Sequence, residues 1–343
     1  LYQKIRGVRP ASLEPDLRTL QREGEDRDSK EYIFDFFTNI VGKFSTGAID
    51  HQLLFGVDLR RFNSNYLTLR TFQGTPIDIF NPVYNSQRLN IVDRPSDDET
   101  SIDSIGIYLQ DQITLADNFK LLLGGRFDAF EQTDEDPIED TETSQSGEPS
   151  RGTQYEIGVK ADINDRLSAT LALYDLTRTN VTTADPDNPD FEIQTGEQNS
   201  QGVELFISGE ILPGWNVIAG YAYTDAQITQ DETFAIGNRI NNVAESSFNL
   251  WTSYEIQSGN LQGLGFGLGF FYVGDRQGDL DNSFTLPSYF RTDAAIFYNR
   301  GQFRAALNFR NLFDVDYFES AYGDLSVYPG EPFTVHGTVS WEF

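Results

Sequence analysis

From Phe333 to Phe343 every second position is apolar. Phe333, Val335, Gly337, Val339, Trp341 and Phe343 alternate with Thr334, His336, Thr338, Ser340 and Glu342. A strand with this period has one apolar and one polar face. The same alternation recurs upstream. Phe303, Ala305, Leu307 and Phe309 interleave with Arg304, Asn308 and Arg310; Val203, Leu205 and Ile207 with Glu204 and Ser208; Phe119, Leu121, Leu123 and Phe127 with Lys120, Arg126 and Asp128. Charged groups cost several kcal/mol each in hydrocarbon, so the second face has to meet water or other protein.

Turn signals divide the chain into strand-like segments joined alternately by short turns and long loops. Tyr2 to Arg9 reads as the upper end of one strand, followed by a polar, acidic connection through Asp28. Lys30 to Phe44 and Gln52 to Arg70 flank a tight turn at Thr46–Asp50, and Thr71 to Thr100 reads as a long loop. Further pairs turn at Ala116–Asn118, Asn164–Arg166, Leu212–Gly214, near Ser258–Asn260 and at Asn299–Gly301, with long loops over Glu131–Ser150 and from the prolines Pro186 and Pro189 towards Asn199. The pattern predicts about fourteen antiparallel strands, many near the roughly 9 to 11 residues that cross a bilayer when tilted. Short turns at one end and long loops at the other mark an up-and-down transmembrane β-barrel with a polar, wide lumen, whereas a sandwich mixes turn lengths and needs Greek-key crossings. The expected fold class is therefore all-β.

Composition narrows the class further. The 343 residues are 38% hydrophobic and 13% aromatic, with no Cys, no Met and a formal net charge of -28. No segment approaches the roughly 18 to 20 consecutive apolar residues of a membrane helix, which excludes a helical membrane protein. The absence of Cys removes disulfides, thiolate metal sites and thiol nucleophiles together. Acidity argues against nucleic acid, because phosphate binding needs clustered Lys and Arg. A start at Leu1 without an export signal leads to the expectation of an N-terminally incomplete chain.

Catalytic chemistry is not visible, and no enzyme is expected. His51 and His336 are the only histidines, and no nucleophile-elbow, zinc-protease or phosphate-loop pattern occurs. His51, beside a short turn, reads as structural, and His336 as a hydrogen-bonded residue of the polar wall. The carboxylates Glu131, Asp134, Glu135, Asp136, Glu139, Asp140 and Glu142 lack calcium-loop spacing and read, like Asp97–Glu99, as a solvated loop. No metal site is expected. Aromatic residues in long loops carry more information. Phe80 and Tyr84 in one loop, with Tyr322 and Tyr328 in the last, present flat rings and hydroxyls suited to a bulky, partly apolar ligand. The competing reading packs them between loops or in an interfacial aromatic belt, the place expected for Trp215, Phe290, Tyr298 and Trp341.

Four stretches resemble one known family. They are Thr38–Gly47 with Ile49–Asp58, which contains Gly47, His51 and Gly56; Gly237–Ala244 through Asn249–Tyr254; Tyr272–Asp279 with Leu286–Tyr289, which contains Gly274 and Arg276; and Asn311–Tyr317, which contains Phe313 and Asp314, followed by the terminal Phe343. In this order they resemble the strand motifs of TonB-dependent outer-membrane siderophore receptors, with a look nearest to the ferric hydroxamate (ferrichrome-type) members.

The resemblance implies that residues 1–343 form the C-terminal part of a barrel of about twenty-two strands, without its plug domain. Gly47, His51, Gly56, Gly274, Arg276, Asn311, Phe313, Asp314 and Phe343 are then structural motif positions. Phe80, Tyr84, Tyr322 and Tyr328 are candidate ligand contacts. Arg239, Arg276 and Arg291 lie near loop bases, where they would attract an anionic chelate or, more simply, pair with Asp and Glu. The implied ligand is a ferric siderophore, with no covalent cofactor. The implied partners are outer-membrane lipid and the TonB complex, reached through the missing N-terminal part, and the implied location is the outer membrane of a Gram-negative-type bacterium. Two alternatives stay open: a passive, cation-favouring pore closed by these strands alone, and a receptor for another metal chelate such as cobalamin.

Overall fold

The computed structural model describes residues 2–71, 76–83, 93–135, 148–184, 192–323 and 326–342. Among them there are strands, turns and loops but no helix. In chain order the strands are β1 (Tyr2–Leu13), β2 (Thr19–Thr46), β3 (Ile49–Thr71), β4 (Ile77–Asp78), β5 (Asp93–Ala116), β6 (Phe119–Glu135) and β7 (Ser150–Asn164). There follow β8 (Leu167–Ala184), β9 (Glu192–Leu212), β10 (Trp215–Gln230), β11 (Ser246–Glu255), β12 (Leu264–Val273) and β13 (Arg276–Gln277). The chain ends with β14 (Thr285–Leu286), β15 (Tyr289–Arg300), β16 (Phe303–Arg310), β17 (Phe318–Ala321), β18 (Val327–Pro329) and β19 (Thr334–Trp341). Hydrogen bonding joins the long strands in sequence order, β1-β2-β3-β5-β6-β7-β8-β9-β10-β11-β12-β15-β16-β19, with β13-β14 and β17-β18 as separate hairpins. Neighbouring strands run antiparallel, as between Trp215 and Tyr254 on β10 and β11 or Leu264 and Tyr298 on β12 and β15.

Residues 1–39, 56–107 and 127–152 form one compact unit, and residues 40–55, 108–126 and 153–343 a second. In the first, the expected strand at Tyr2–Arg9 and the acidic connection behind it are in fact one hairpin. Tyr2 pairs with Lys30 and Leu13 with Leu20 across a turn at residues 14–18. Asp16 caps that turn by accepting hydrogen bonds from the backbone N–H groups of Arg18 (2.9 Å) and Thr19 (2.8 Å). Charged residues fill both faces of β2 from Glu23 to Asp28, and that removes the alternation by which a strand is recognised. The loop expected over Thr71–Thr100 also contains structure. Ile77 and Asp78 pair with Leu20 and Thr19, and β5 begins at Asp93. Charges on these strands are matched across the ladder: Arg60 donates to Asp35 (2.6 Å) and Arg61 to both carboxylate oxygens of Asp103 (2.7 and 2.6 Å).

In the second unit the apolar face is open to the surroundings. Leu109, Leu173, Phe266, Ile296 and Leu307 are each 40 to 50% exposed. That inverts a soluble domain, where such side chains form the core, and it suits strands whose outer face meets lipid. The opposite face is less uniformly polar than alternation predicts. Ile218 and Trp251 are directly paired there, and Phe297 lies on the same face beside Asn299. The cause is a row of glycines on β12. An added Cβ would lie 2.5 Å from the Trp251 ring at Gly267 and 2.8 Å from it at Gly269, and at Gly265 it would run into the Phe297 ring. The two rings lie flat on bare backbone and cover it.

Candidate functional site

Three long loops of the second unit, residues 231–245, 274–288 and 311–333, are built on asparagine side chains. Asn242 and Asn282 both adopt the left-handed conformation, with φ of 61° and 56°, which Asn tolerates because its short amide bonds locally. The Asn282 amide donates to the Arg239 carbonyl (2.9 Å), and its oxygen accepts from the Arg239 N–H (2.9 Å). Asn242 repeats the arrangement across a larger separation. Its amide donates to the Ala321 carbonyl and its oxygen accepts from the Ala321 N–H, both at 2.8 Å. Each side chain thus copies a two-bond β-bridge to another loop. The Asn242 N–H donates to the Gln277 carbonyl (2.9 Å) and the Asn238 amide to the Leu280 carbonyl (2.9 Å).

Arg276 completes the junction. It is buried, and its guanidinium donates to the carbonyls of Glu319 (2.6 Å) and Phe318 (2.7 Å) while lying 5.6 Å from the centre of the Tyr289 ring. Tyr289 packs on Tyr317 at 4.4 Å. Arg291 lies over the Phe271 ring (4.7 Å), donates to the Tyr317 hydroxyl (3.2 Å) and pairs with Asp293 (3.1 Å). Arg239 lies 3.8 Å from Glu245 and 3.6 Å from Asp275. All three loop-base arginines are therefore committed to internal partners.

Above this junction the β17-β18 hairpin displays Tyr322, 84% exposed, and Tyr328, 54% exposed. The structure thus brings two of the candidate contacts onto one hairpin. Phe80 belongs to the first unit and is 73% exposed. It stands in a turn closed by Asp78, which accepts from the backbone N–H groups of Phe80 (2.9 Å) and Asn81 (3.3 Å). A hydrogen bond from Arg18 holds the Asp78 carboxyl below the usual carboxylate range. Tyr84 lies outside the described residues, as does the terminal Phe343.

The motif positions have local tasks. Asn311 is fully buried with φ of 48°. Its N–H donates to Asp293 (2.9 Å), its amide to the carbonyls of Val315 (2.9 Å) and Glu331 (3.0 Å), and its oxygen accepts from the Val315 N–H (2.9 Å). Asp314 accepts from the Phe333 N–H at 2.7 Å, whereas the Phe313 ring is 71% exposed. Gly47 turns β2 into β3 with φ of 67°, Gly56 is buried on β3, and the Gly274 N–H donates to the Ser246 carbonyl at 2.9 Å. His51 stacks on Phe44 at 4.8 Å and lies 2.8 Å from Asp111. Among the described residues no three His, Asp or Glu side chains converge as a metal site.

Sequential antiparallel strands, an exposed apolar face and long structured loops define a class, the transmembrane β-barrels of outer membranes. Within it the chain belongs to the TonB dependent receptor-like, beta-barrel family, whose model matches residues 3–147 and 140–312. This is a family of outer-membrane receptors of Gram-negative bacteria, not of enzymes. The chain is 33% identical to the metal-pseudopaline receptor CntO of Pseudomonas aeruginosa over 94% of its own length and 53% of the relative's. It is 30% identical to the ferrichrome outer membrane transporter/phage receptor of Escherichia coli (92% and 49% covered) and 31% identical to the ferrioxamine B receptor of Salmonella typhimurium (88% and 49%). It spans about half the length of these curated relatives. Among solved structures, the ferric-catecholate import receptor Fiu of Escherichia coli superposes with a TM-score of 0.72 at 20% identity, covering 100% of this chain and 60% of that one. BauA, the ferric preacinetobactin receptor of Acinetobacter baumannii, gives 0.72 at 18%, with 99% and 58% covered.

Proposed function

We propose that residues 1–343 are the C-terminal barrel part of a receptor that captures a ferric siderophore at its external loops and imports it with energy from TonB, reached through a preceding part of the protein. The observation that carries this reading is the display of Tyr322 and Tyr328 on a hairpin fixed from below by Asn242 and Arg276. Flat, hydroxyl-bearing rings on a fixed base suit a bulky iron chelate, which offers apolar surface and acceptor oxygens together. Phe80, an exposed ring of the first unit, and Tyr84 remain candidate contacts on the sequence reading alone. No covalent cofactor and no bond chemistry enter.

A second reading keeps the mechanism and changes the cargo. The similarity to a metal-pseudopaline receptor supports another metal chelate as the transported ligand. Titrating the full-length receptor with ferrichrome, ferrioxamine B, a ferric catecholate and metal-loaded pseudopaline, read by intrinsic tryptophan fluorescence, separates the two. Saturable binding of any of the ferric siderophores supports the first reading, and selective binding of metal-pseudopaline supports the second. Binding of none of them overturns both.

A further inference from the structure

We infer that Asn242, Asn282 and Arg276 are positioning residues of the ligand-capture face, joining three external loops into one rigid shelf that holds Tyr322 and Tyr328 in place. The inference rests on the capture role proposed above. The three loops are far apart in sequence: Asn242 reaches 79 residues to Ala321, Asn282 reaches 43 to Arg239, and Arg276 reaches 43 to Glu319. Each of these three joins is a side chain bonded to backbone. A reciprocal amide-to-backbone pair fixes both the distance and the orientation of the partner strand, whereas a single bond leaves it free to rotate.

The joins also converge. Asn242 and Arg276 grip neighbouring parts of β17, at Ala321 and at Phe318 and Glu319. The backbone N–H of Asn242 also bonds the second loop, at the Gln277 carbonyl next to Arg276. Tyr322 follows directly on the gripped segment, and its N–H donates to the Ser326 carbonyl at 2.7 Å, which closes the hairpin tip. Ser320 is paired with Tyr328. The hydrogen bonds of these three side chains end on main-chain groups, not on the displayed rings. They act on affinity by ordering the hairpin before the ligand arrives, so that binding does not have to supply that order.

The test uses the full-length receptor, with ferrichrome and ferrioxamine B as probes. Hydrogen exchange in Asn242→Ala is expected to speed up by about tenfold or more across residues 318–323, while β12 amides exchange as in the wild type. Asn242→Ala is expected to weaken binding about tenfold. In a double-mutant cycle, Asn242→Ala added to the pair Tyr322→Ala and Tyr328→Ala is expected to cause little further loss, because the asparagine acts through those rings. Arg276→Gln repeats the experiment from the other grip. Unchanged exchange at 318–323, wild-type affinity in Asn242→Ala, or fully additive losses would each overturn the inference. A wild-type receptor that binds neither probe removes the capture reading and this inference with it, and that outcome is distinct because exchange is measured without ligand.

Discussion

His51 and Asp111 lie 2.8 Å apart, Nδ1 to Oδ2, on the face of the sheet that carries Leu53, Phe55, Leu109 and Leu115. The imidazole and one carboxylate oxygen of Asp111 bond each other on this apolar face, and the Phe44 ring covers the imidazole. Removing one partner leaves the other without compensation in an apolar setting. His51→Ala is therefore expected to destabilise by roughly 2–3 kcal/mol. The double variant His51→Ala with Asp111→Ala should be more stable than His51→Ala alone. Urea unfolding in lipid vesicles measures both, and equal stabilities would contradict the pairing.

The assignment of faces is tested one residue apart. Leu307 is 48% exposed on the apolar face, and Asn308 points to the other. Leu307→Arg should impair assembly by roughly 2–4 kcal/mol, the cost of a cation near the bilayer midplane, and Asn308→Arg should cost little. Heat-modifiable electrophoretic mobility reports the folded fraction. Equal effects would sink the assignment.

Asn311 makes five hydrogen bonds from a fully buried, left-handed position, three of them through its side chain. Asn311→Ala loses the three made by its side chain and adds backbone strain, for an expected loss of about 3–5 kcal/mol, while Asn311→Gly keeps the conformation and should lose less. Thermal unfolding of the two variants gives the order directly. An alanine variant as stable as the glycine variant would refute the backbone part.

The Gly267 row can be probed by the ring that covers it. Gly267→Ala places a methyl group against Trp251 and should displace the indole, at a cost of about 1–3 kcal/mol. Trp251 is one of three tryptophans. A red-shifted emission component in Gly267→Ala that is absent from Gly267→Ala with Trp251→Phe would identify it, and an unchanged spectrum would show that the ring does not rest there.

Glu331 provides a pH dependence. A hydrogen bond from Arg310 (3.2 Å), the largest influence, holds its carboxyl below the usual range, with Thr334 and His336 nearby acting in the same direction. A lowered pKa means that the folded state favours the charged form. The stabilisation is then fully present above the ordinary carboxylate pKa and is lost as pH falls through the lowered one. The thermal stability of Glu331→Gln should lie below that of the wild type at neutral pH and converge with it in acid. A constant gap would exclude Glu331 as the source.

Much of the fold was legible because most strands separate two different media. β16 and β19 show the alternation plainly, since one face meets lipid and the other does not. The signal vanished over residues 10–28, where charged residues occupy both faces of β2 from Glu23 to Asp28. It misled at Trp251 and Phe297, which cover the glycines of β12, although the spacing of Gly265, Gly267 and Gly269 was itself readable as a bare row needing cover. The positions of Tyr322 and Tyr328 in a loop were legible, but the base beneath them was not. Asn242 and Asn282 bond to backbone many residues away, and no local pattern records such a partner.

Because Asn242, Asn282 and Arg276 all grip main-chain atoms, the identity of the side chains at their targets is immaterial to the grip. Ala321, Phe318 and Glu319 contribute only peptide groups to it, and Arg239 meets Asn282 through its peptide group as well. The displayed surface is thereby decoupled from its scaffold. The displayed residues are free to diversify, in nature or in a selection library, while the loops beneath keep their geometry, and a changed surface then requires no new fold.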